Sequence, residues 1–279
     1  MTDDKAIVAA ARSVAWRDLA AMRRRDGLIE CLLPVPWLAA AWTCAAFALW
    51  PLALTCSFMF FLVALRLNHE AIHHNLGFGA AGHHRVMHAL SMVMLGSNHS
   101  VAFNHLRHHA HLGTERDIEG KCGRMCFWRV VAYGVRFPVE CHRETWRRGG
   151  AAWRGRMAGD LALNAVIPLL AWSTGSAVLL YHLAVTLVSQ CCTALFAVWI
   201  THRSGADPAP IARTQRNRWV NRASYNMFFH LEHHLFPGVP VSRLPQLAAR
   251  LDSAAPWIAA GTGRVIGRTA AIAGARPKG

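Results

Sequence analysis

Two long stretches without a charged side chain alternate with basic, histidine-bearing stretches along this chain. The uncharged stretches cover residues 31–65 and 161–200. A single helix over the first stretch would be about 52 Å long, whereas the hydrocarbon core of a bilayer is about 30 Å thick. Each stretch therefore predicts a helical hairpin, and the four predicted membrane spans lie at about 33–49, 52–67, 157–172 and 177–200.

The remaining segments are polar enough to lie outside the bilayer core. Residues 1–30 read as a basic, amphipathic N-terminal segment, and residues 251–279 read as a basic C-terminal tail. Residues 86–103 are apolar but interrupted by histidine, glycine and asparagine, and residues 127–139 are a second stretch of this kind. Both predict buried or interfacial helices rather than further spans.

The distribution of charge predicts the orientation of the hairpins. All 30 lysines and arginines lie in residues 1–30, 66–160 and 201–279, so the two tight turns on the far side carry none. The positive-inside rule places these three segments, and with them both termini, in the cytoplasm. Because the formal charge of +15 accompanies apolar spans, it indicates a membrane surface rather than nucleic acid as the partner.

Cysteine usage predicts a reducing compartment. The chain has 8 cysteines but no C-x-x-C pair, and most of them lie in apolar stretches, where cysteine behaves as a small hydrophobe. No disulfide framework is expected. The basic N-terminal segment also lacks the pattern of a cleaved signal peptide.

Histidines cluster at helical spacing next to the predicted spans. His105, His108 and His109 have the spacing 0, +3, +4, which puts them on one face of a helix, while His111 falls off that face. The same spacing recurs at residues 230, 233 and 234. A third pair at residues 69 and 73 is spaced i, i+4, and a single histidine follows the last span. The candidate metal ligands are His69, His73, His105, His108, His109, His202, His230, His233 and His234.

Nine imidazoles exceed the coordination number of one ion and suit two. All-nitrogen ligands fit iron, copper, zinc or nickel, so ligand type alone leaves the metal open. His74 points away from His69 and is a weaker candidate. Isolated histidines such as His142 and His182 are expected to be ordinary polar residues. The histidines left unassigned are His83, His84, His88 and His99.

Acidic residues beside the histidines are candidates for orienting them. Asp117 and Glu119 follow the second cluster, and a ligating histidine commonly donates its other ring N–H to a carboxylate. Glu70 and Glu232 lie inside the first and third clusters. The alternative for all four is a solvated loop acid. Glu232 faces away from its cluster, which favours that alternative or a partner on another helix.

The histidine motifs resemble those of a known family. H69-E-A-I-H73, H105-L-R-H-H109 and H230-L-E-H-H-L-F-P-G238 are similar to the three histidine boxes of the membrane fatty acid desaturase-like superfamily. The resemblance covers about residues 30–250 and implies a membrane domain over 31–250. The implied fold is all-α, with about four transmembrane helices in two hairpins and a cytosolic helical cap that holds a histidine-rich dimetal site.

The resemblance also implies a chemistry. The cofactor would be two non-haem iron ions, with O2 as co-substrate, and the nine histidines would be their ligands. Some members place an asparagine four residues before the single histidine of the last span, where this chain has Val198; Asn226, four residues before His230, is the substitute candidate. Because no cytochrome or flavin domain is visible, electrons would come from a separate ferredoxin or cytochrome b5-like protein with its reductase.

The third motif most resembles that of acyl desaturases, which implies desaturation of a fatty acyl chain as the expected reaction on a lipid or acyl substrate. Hydroxylation or ketolation of a lipid, a carotenoid or a smaller substrate is the alternative, since the same hydrogen abstraction begins both reactions. Two hypotheses from other classes remain: a histidine-rich membrane protein that binds or transports metal, and an inactive scaffold that binds metal structurally.

Overall fold

The computed structural model describes residues 4–203, 211–261 and 265. Residues 1–3 of the predicted N-terminal segment and most of the predicted tail 251–279 lie outside this part. The described residues form helices, with no β-strand among them.

The helices before the second hairpin are α1 Asp4–Ala11, α2 Arg17–Ala20, α3 Arg24–Leu32, α4 Val35–Ala46, α5 Trp50–Ile72, α6 Ala80–Met94, α7 Asn98–His111, α8 Gly120–Gly123, α9 Phe127–Tyr133 and α10 Phe137–Arg148. The later elements are α11 Ala151–Leu163, α12 Val166–Thr174, α13 Ala177–Thr193, the π-helical segment Ala194–Trp199, α14 Ile200–His202, α15 Arg218–Ala223, α16 His230–Leu235, a 3-10 turn Val241–Arg243, α17 Leu244–Ala254 and α18 Pro256–Gly261.

Four continuous helical rods are long and apolar enough to cross a membrane: span one Arg24–Ala46, span two Trp50–Ile72, span three Ala151–Thr174 and span four Ala177–His202. Spans one and two form the first hairpin and spans three and four the second. The turn residues Ala48 and Gly175 both have positive φ, which lets the chain reverse within a few residues. The four-span, all-helical architecture is confirmed.

Span one begins at Arg24, earlier than the apolar pattern predicts. Among the charged residues of span one, Glu30 is buried and forms an ion pair with Arg66 of span two. The Arg66 guanidinium also donates to the backbone oxygen of Tyr225 at 2.9 Å. A buried charge with a hydrogen-bonded partner can be accommodated inside a helical bundle. The extension of span one therefore depends on a residue far away in the sequence.

Helices α6 and α7 form a hairpin that lies against the middle of span four. The His182 side chain donates to the backbone oxygen of Val93 at 2.9 Å, and the Gln190 amide donates to the backbone oxygen of Met94 at 2.7 Å. The predicted buried segment 86–103 is thus two helices joined by a tight turn at Leu95, where φ is 54°. The side-chain amide and imidazole of span four satisfy carbonyl groups that the turn leaves free.

The end of helix α9, where it joins α10, packs against span four. Gly134 lies so close to span four that a β-carbon at this position would come within 1.9 Å of the backbone oxygen of Cys191. The Trp199 indole donates to the backbone oxygen of Met125 at 2.8 Å and makes an edge contact with Phe127. The second predicted interfacial segment, 127–139, is therefore attached to span four.

The N-terminal segment packs on the C-terminal part of the chain instead of standing apart. Ile7, Ala11, Val14 and Leu19 are buried in one apolar cluster with residues of α16 and α17. Arg250 of α17 forms an ion pair with Asp18 at 2.6 Å. This packing brings the N-terminal helices next to the third histidine motif.

Replacing Gly134 tests the close approach of α9 to span four. Gly134→Ala forces a methyl group against Cys191, and overpacking of this kind costs about 1–3 kcal/mol, so the melting temperature in detergent should fall. Gly155→Ala is the matched control, because nothing lies within 4 Å of a β-carbon there and alanine is the better helix former. Equal melting temperatures for the two variants would contradict this packing.

Candidate metal centre

The histidine motifs occupy the ends of four helices that meet at one end of the spans. His69 and His73 terminate span two, and His202 terminates span four. Helix α7 carries the second motif in its last two turns, and the short helix α16 carries the third. All nine predicted ligands are brought into one cluster.

Five of the nine imidazoles form one group through their Nε2 atoms. His69 Nε2 lies 2.9 Å from His233 Nε2, which lies 3.0 Å from His109 Nε2. His105 Nε2 continues the series, at 3.2 Å from His109 Nε2 and 3.1 Å from His73 Nε2. We call these residues the five-histidine group.

The other four imidazoles form a second group. His202 Nε2 lies 3.1 Å from His108 Nε2 and 2.8 Å from His230 Nε2, and His230 Nε2 lies 3.2 Å from His234 Nε2. We call these residues the four-histidine group. Neighbouring histidines are divided between the two groups, because consecutive helical residues point about 100° apart. The His109 and His234 rings stack at 4.3 Å where the groups meet.

The spacing of the Nε2 atoms fits ligands around a shared ion. With metal–nitrogen bonds of about 2.1 Å, two ligands at a right angle lie about 3 Å apart. Two lone pairs cannot satisfy each other at that distance, but a cation between them satisfies both. The donor set therefore fits two transition-metal ions, one for each group.

Two buried carboxylates fix the orientation of the second motif. His108 Nδ1 lies 2.9 Å from both oxygens of Asp117, and His105 Nδ1 lies 3.1 Å from Glu119 Oε2. Asp117 also accepts the backbone N–H of Gly120 at 2.8 Å and of Gly113 at 3.2 Å, which closes the loop after α7. A proton held on Nδ1 leaves the Nε2 lone pair free for a metal.

Burial keeps most of these imidazoles uncharged. The desolvation of the charged form, reinforced by neighbouring imidazoles, lowers the pKa below the usual range at His73, His105, His109, His230, His233 and His234. Neutral imidazoles are the form that binds metals.

The pKa values of Glu119, Asp117 and His108 shift in different directions. Burial raises the pKa of Glu119 to about 7. Burial is the largest influence on Asp117 and His108 and would raise the pKa of the first and lower that of the second. Their mutual hydrogen bond and the nearby charges together outweigh burial, so the pKa of Asp117 is lowered and that of His108 is raised.

A π-helical segment places His202. Residues Ala194–Trp199 form the π turn immediately before α14, and such turns insert an extra residue that rotates the next part of the helix. A β-carbon on Gly123 would approach the backbone oxygen of His202 to 2.6 Å, so α8 packs tightly against this end of span four. The single histidine of the last span thereby points into the four-histidine group.

The remaining acids near the motifs are buried rather than solvated. Glu70 accepts the backbone N–H of Val241 at 3.1 Å, and its other oxygen lies 3.6 Å from His69 Nδ1. Glu232 accepts from Thr214 at 2.7 Å and from Arg216 at 2.6 Å, so its partner lies on another segment. The solvated-loop alternative is wrong for both.

Among the described residues, no hydrogen bond links Asn226 to the histidine cluster. Its backbone φ is 65°, and its N–H donates to the backbone oxygen of Asn221 at 2.7 Å in the turn before α16. The structure gives Asn226 a place in a turn, and its role beside the metal site stays a prediction.

The other histidines lie outside the two groups. His74 is exposed and stacks on His83 at 4.5 Å, while His142 Nδ1 donates to the backbone oxygen of Pro138 at 2.6 Å. His88 and His99 converge on Asp160 of span three and, with it, could hold an ion by ligand type.

That third group is satisfied by hydrogen bonds alone. The Asp160 carboxylate accepts from His88 Nδ1 at 2.6 Å, from His99 Nδ1 at 2.9 Å and from Ser97 Oγ at 2.7 Å. His99 Nε2 in turn lies 3.1 Å from His84 Nδ1. Because Ser97 also caps α7, the Asp160 network anchors the start of the helix whose end carries the second motif.

An apolar cavity leads to both histidine groups. It lies between span two, the π-helical segment, α10 and the turn before α16, and its lining reaches His69, His105 and His233 of one group and His230 of the other. Its apolar walls are Leu62, Leu65, Ile72, Val101, Phe137, Phe196, Ala197, Val198, Met227, Phe228, Val241 and Leu244.

Metal analysis tests the two-group arrangement. The purified chain should bind about two transition-metal ions, and His108→Ala, which removes a ligand of the four-histidine group, should lower the content by about one ion. His111→Ala on the same helix is the control and should leave the metal content unchanged, since His111 belongs to neither group. Full metal content in His108→Ala, measured by inductively coupled plasma mass spectrometry, would refute the assignment.

Asp117 should set metal affinity through His108. Asp117→Asn removes the negative charge at His108 Nδ1, and losses of this kind typically weaken metal binding about 10- to 100-fold. Competition with a chelator of known affinity measures the effect. Glu115→Gln is the control, because that side chain is 92% exposed and contacts no histidine of either group. Equal affinities for the two variants would show that the charge of Asp117 has no influence on the metal.

Sequence comparisons agree with the arrangement of the site. The chain is 26% identical over 200 residues to a beta-carotene ketolase of Paracoccus sp. (strain N81106 / MBIC 01143), a match that covers 67% of this chain and 74% of the ketolase. The sequence model of the family described as fatty acid desaturase matches residues 42–262 and thus takes in all three histidine motifs. On this match, the four-span chain with nine converging imidazoles belongs to the fatty acid desaturase family.

Proposed function

We propose that this protein uses O2 and two iron ions to oxidise an unactivated C–H bond of a lipid, with desaturation of a fatty acyl chain as the first candidate. The observation that carries the proposal is the apolar cavity that reaches both histidine groups. Family membership supports an oxidoreductase of this kind. The proposal assigns all nine histidines to the iron ions.

The residues of the chain bind and orient the reactants. Two iron ions in the histidine groups would pass electrons from the donor protein to O2 and would supply the oxidising power that removes hydrogen from carbon. The cavity walls exclude water and hold an aliphatic segment beside His69 and His230, which belong to different groups. Asp117 and Glu119 hold protons on Nδ1 of His108 and His105 and so preserve their metal-binding tautomers.

The cavity walls suit an aliphatic chain more than a polar substrate. Leu62, Leu65 and Phe196 supply apolar surface at the part of the cavity between spans two and four. Polar side chains are concentrated near the histidines, where Asn68, Glu119 and Thr201 contribute to the lining. An aliphatic chain can therefore lie between apolar walls while its reacting part reaches the polar end of the cavity.

The proposed topology has the histidine site and both termini in the cytoplasm. The short turns between spans one and two and between spans three and four carry no lysine or arginine, whereas the opposite ends are rich in arginine. Electrons would then come from a separate cytoplasmic donor, a ferredoxin or cytochrome b5-like protein with its reductase.

Hydroxylation or ketolation is the second candidate, supported by the similarity to a beta-carotene ketolase. The same hydrogen abstraction begins both reactions, so the position of the substrate over the metal centre decides the product. Metal transport is less well supported, because transporters place ligands near the middle of the bilayer and these nine histidines converge at the ends of the spans. Metal flux in proteoliposomes without any lipid oxidation would favour transport.

Product analysis tests the proposed reaction. The protein is expressed with a matched donor and reductase, and lipids and soluble acyl species are analysed by mass spectrometry. We expect an acyl chain that has lost two hydrogens. Gain of one oxygen atom identifies a hydroxylase, and exchange of two hydrogens for one oxygen identifies a ketolase. Unchanged lipids in a complete redox system would refute lipid oxidation.

Variants of span four link the product to the cavity. Ala197 lines the cavity, so Ala197→Phe should lower turnover and favour shorter chains while the metal content is kept. Val188→Phe is the matched control, because Val188 is on the same span and 64% exposed. Identical product profiles for the two variants would show that the substrate does not occupy this cavity.

A further inference from the structure

A groove between the N-terminal helices and the end of α16 reaches the metal centre and is separate from the substrate cavity. Its walls are formed by residues 8, 11, 12 and 14–18, together with Ile211 and residues 234–236. We propose that this N-terminal groove is the docking site of an acidic redox protein that delivers electrons to the four-histidine group. The proposal rests on the oxidative function proposed above.

The groove ends at a metal ligand. Of the nine clustered histidines, His234 lines the groove, and it is a member of the four-histidine group. The substrate cavity reaches the same group through His230. The groove and the substrate cavity have no lining residue in common, so a reductant bound in the groove leaves the cavity to the lipid.

Two aromatic rings line the groove together with His234. Trp16 and Phe236 contact each other with ring centroids 5.7 Å apart, and Phe236 is two residues beyond His234 in the chain. Trp16 is only partly buried, so a partner in the groove can touch it. Electron tunnelling falls off steeply with distance, so a donor that touches Trp16 would lie close to a metal ligand of the four-histidine group.

The charge of the groove selects an acidic partner. Arg12 and Arg17 line it, are exposed and have no ion pair among the described residues. The neighbouring carboxylate of Asp18 is already paired with Arg250. Exposed Arg23 continues the basic surface beyond the groove. Such a surface accelerates the approach of an acidic protein and repels a basic one.

The same charge argues against the chain's own C-terminus as the occupant. Residues 262–279 contain Arg264, Arg268, Arg276 and Lys278 but no acidic residue. This segment would place like charges against Arg12 and Arg17. An external acidic protein has the complementary charge.

Charge reversal in the groove tests the docking site. The metal-loaded, full-length protein is placed in nanodiscs of phosphatidylcholine, which has no net charge, and titrated with a soluble acidic [2Fe–2S] ferredoxin and with the soluble domain of cytochrome b5. Arg12→Glu/Arg17→Glu should weaken binding of the acidic donor about 10-fold or more, and the effect should shrink at high salt. Metal content and reduction of the metal centre by dithionite should stay unchanged.

A second variant separates the electron path from the binding surface. Trp16→Leu should slow reduction of the metal centre at saturating donor in stopped-flow measurements, with little change in donor affinity. The matched control is Arg143→Glu/Arg147→Glu on α10, where both arginines are exposed but lie outside the groove. This control should bind the donor as the unmodified protein does.

Several outcomes would overturn the docking site. They are equal donor affinity in Arg12→Glu/Arg17→Glu and the unmodified protein, a loss of affinity confined to the α10 control, or no binding of either donor to the unmodified protein. Binding of phosphatidylserine vesicles but of neither donor, lost in the groove variant, would identify a lipid surface instead. Failure of dithionite and O2 to oxidise any lipid with the unmodified protein would instead refute the proposed function, whatever the binding data show.

Discussion

The mutual approach of nine imidazoles, most of them kept uncharged by burial, is the constraint on which the rest of the structure depends. Neighbouring Nε2 atoms in each of the two groups lie about 3 Å apart, a spacing that fits ligands around a shared cation. Each ring must therefore present a lone pair, and the protein must hold protons on the opposite nitrogen or keep the ring dry. Asp117 and Glu119 do the first for His108 and His105, and burial does the second for most of the others.

The helices around the site can be understood as supports for this cluster. Spans two and four deliver histidines at their ends, and the hairpin α6–α7 delivers three more from a helix whose start is tied to Asp160. The third motif sits on a short helix held by Glu232, which accepts hydrogen bonds from Thr214 and Arg216 of the preceding segment. Asp160 and Glu232 are both buried and have hydrogen-bond partners in place. A buried polar network that is fully satisfied makes the surrounding helices rigid.

Local features of the sequence predict the fold class and the histidine cluster well. The spacing 0, +3, +4 fixes which imidazoles share a helix face, and the uncharged stretches fix the number of spans, because both depend only on neighbouring residues. The division of the ligands into groups of five and four depends on how four helices meet, which spacing does not encode. The early start of span one depends on Arg66, and the place of Asn226 in a turn depends on backbone geometry. The packing of the N-terminal helices against α16 has no local signal beyond amphipathic character.

The Asp160 network has a consequence for how the protein is made. Span three carries an ionisable side chain, which is costly to transfer into a bilayer alone. Its partners Ser97, His88 and His99 all belong to the preceding hairpin and leave the ribosome first. The order of synthesis thus supplies the carboxylate with its hydrogen-bond donors before span three enters the membrane. A permuted chain that began with the second hairpin would have to insert Asp160 without its partners.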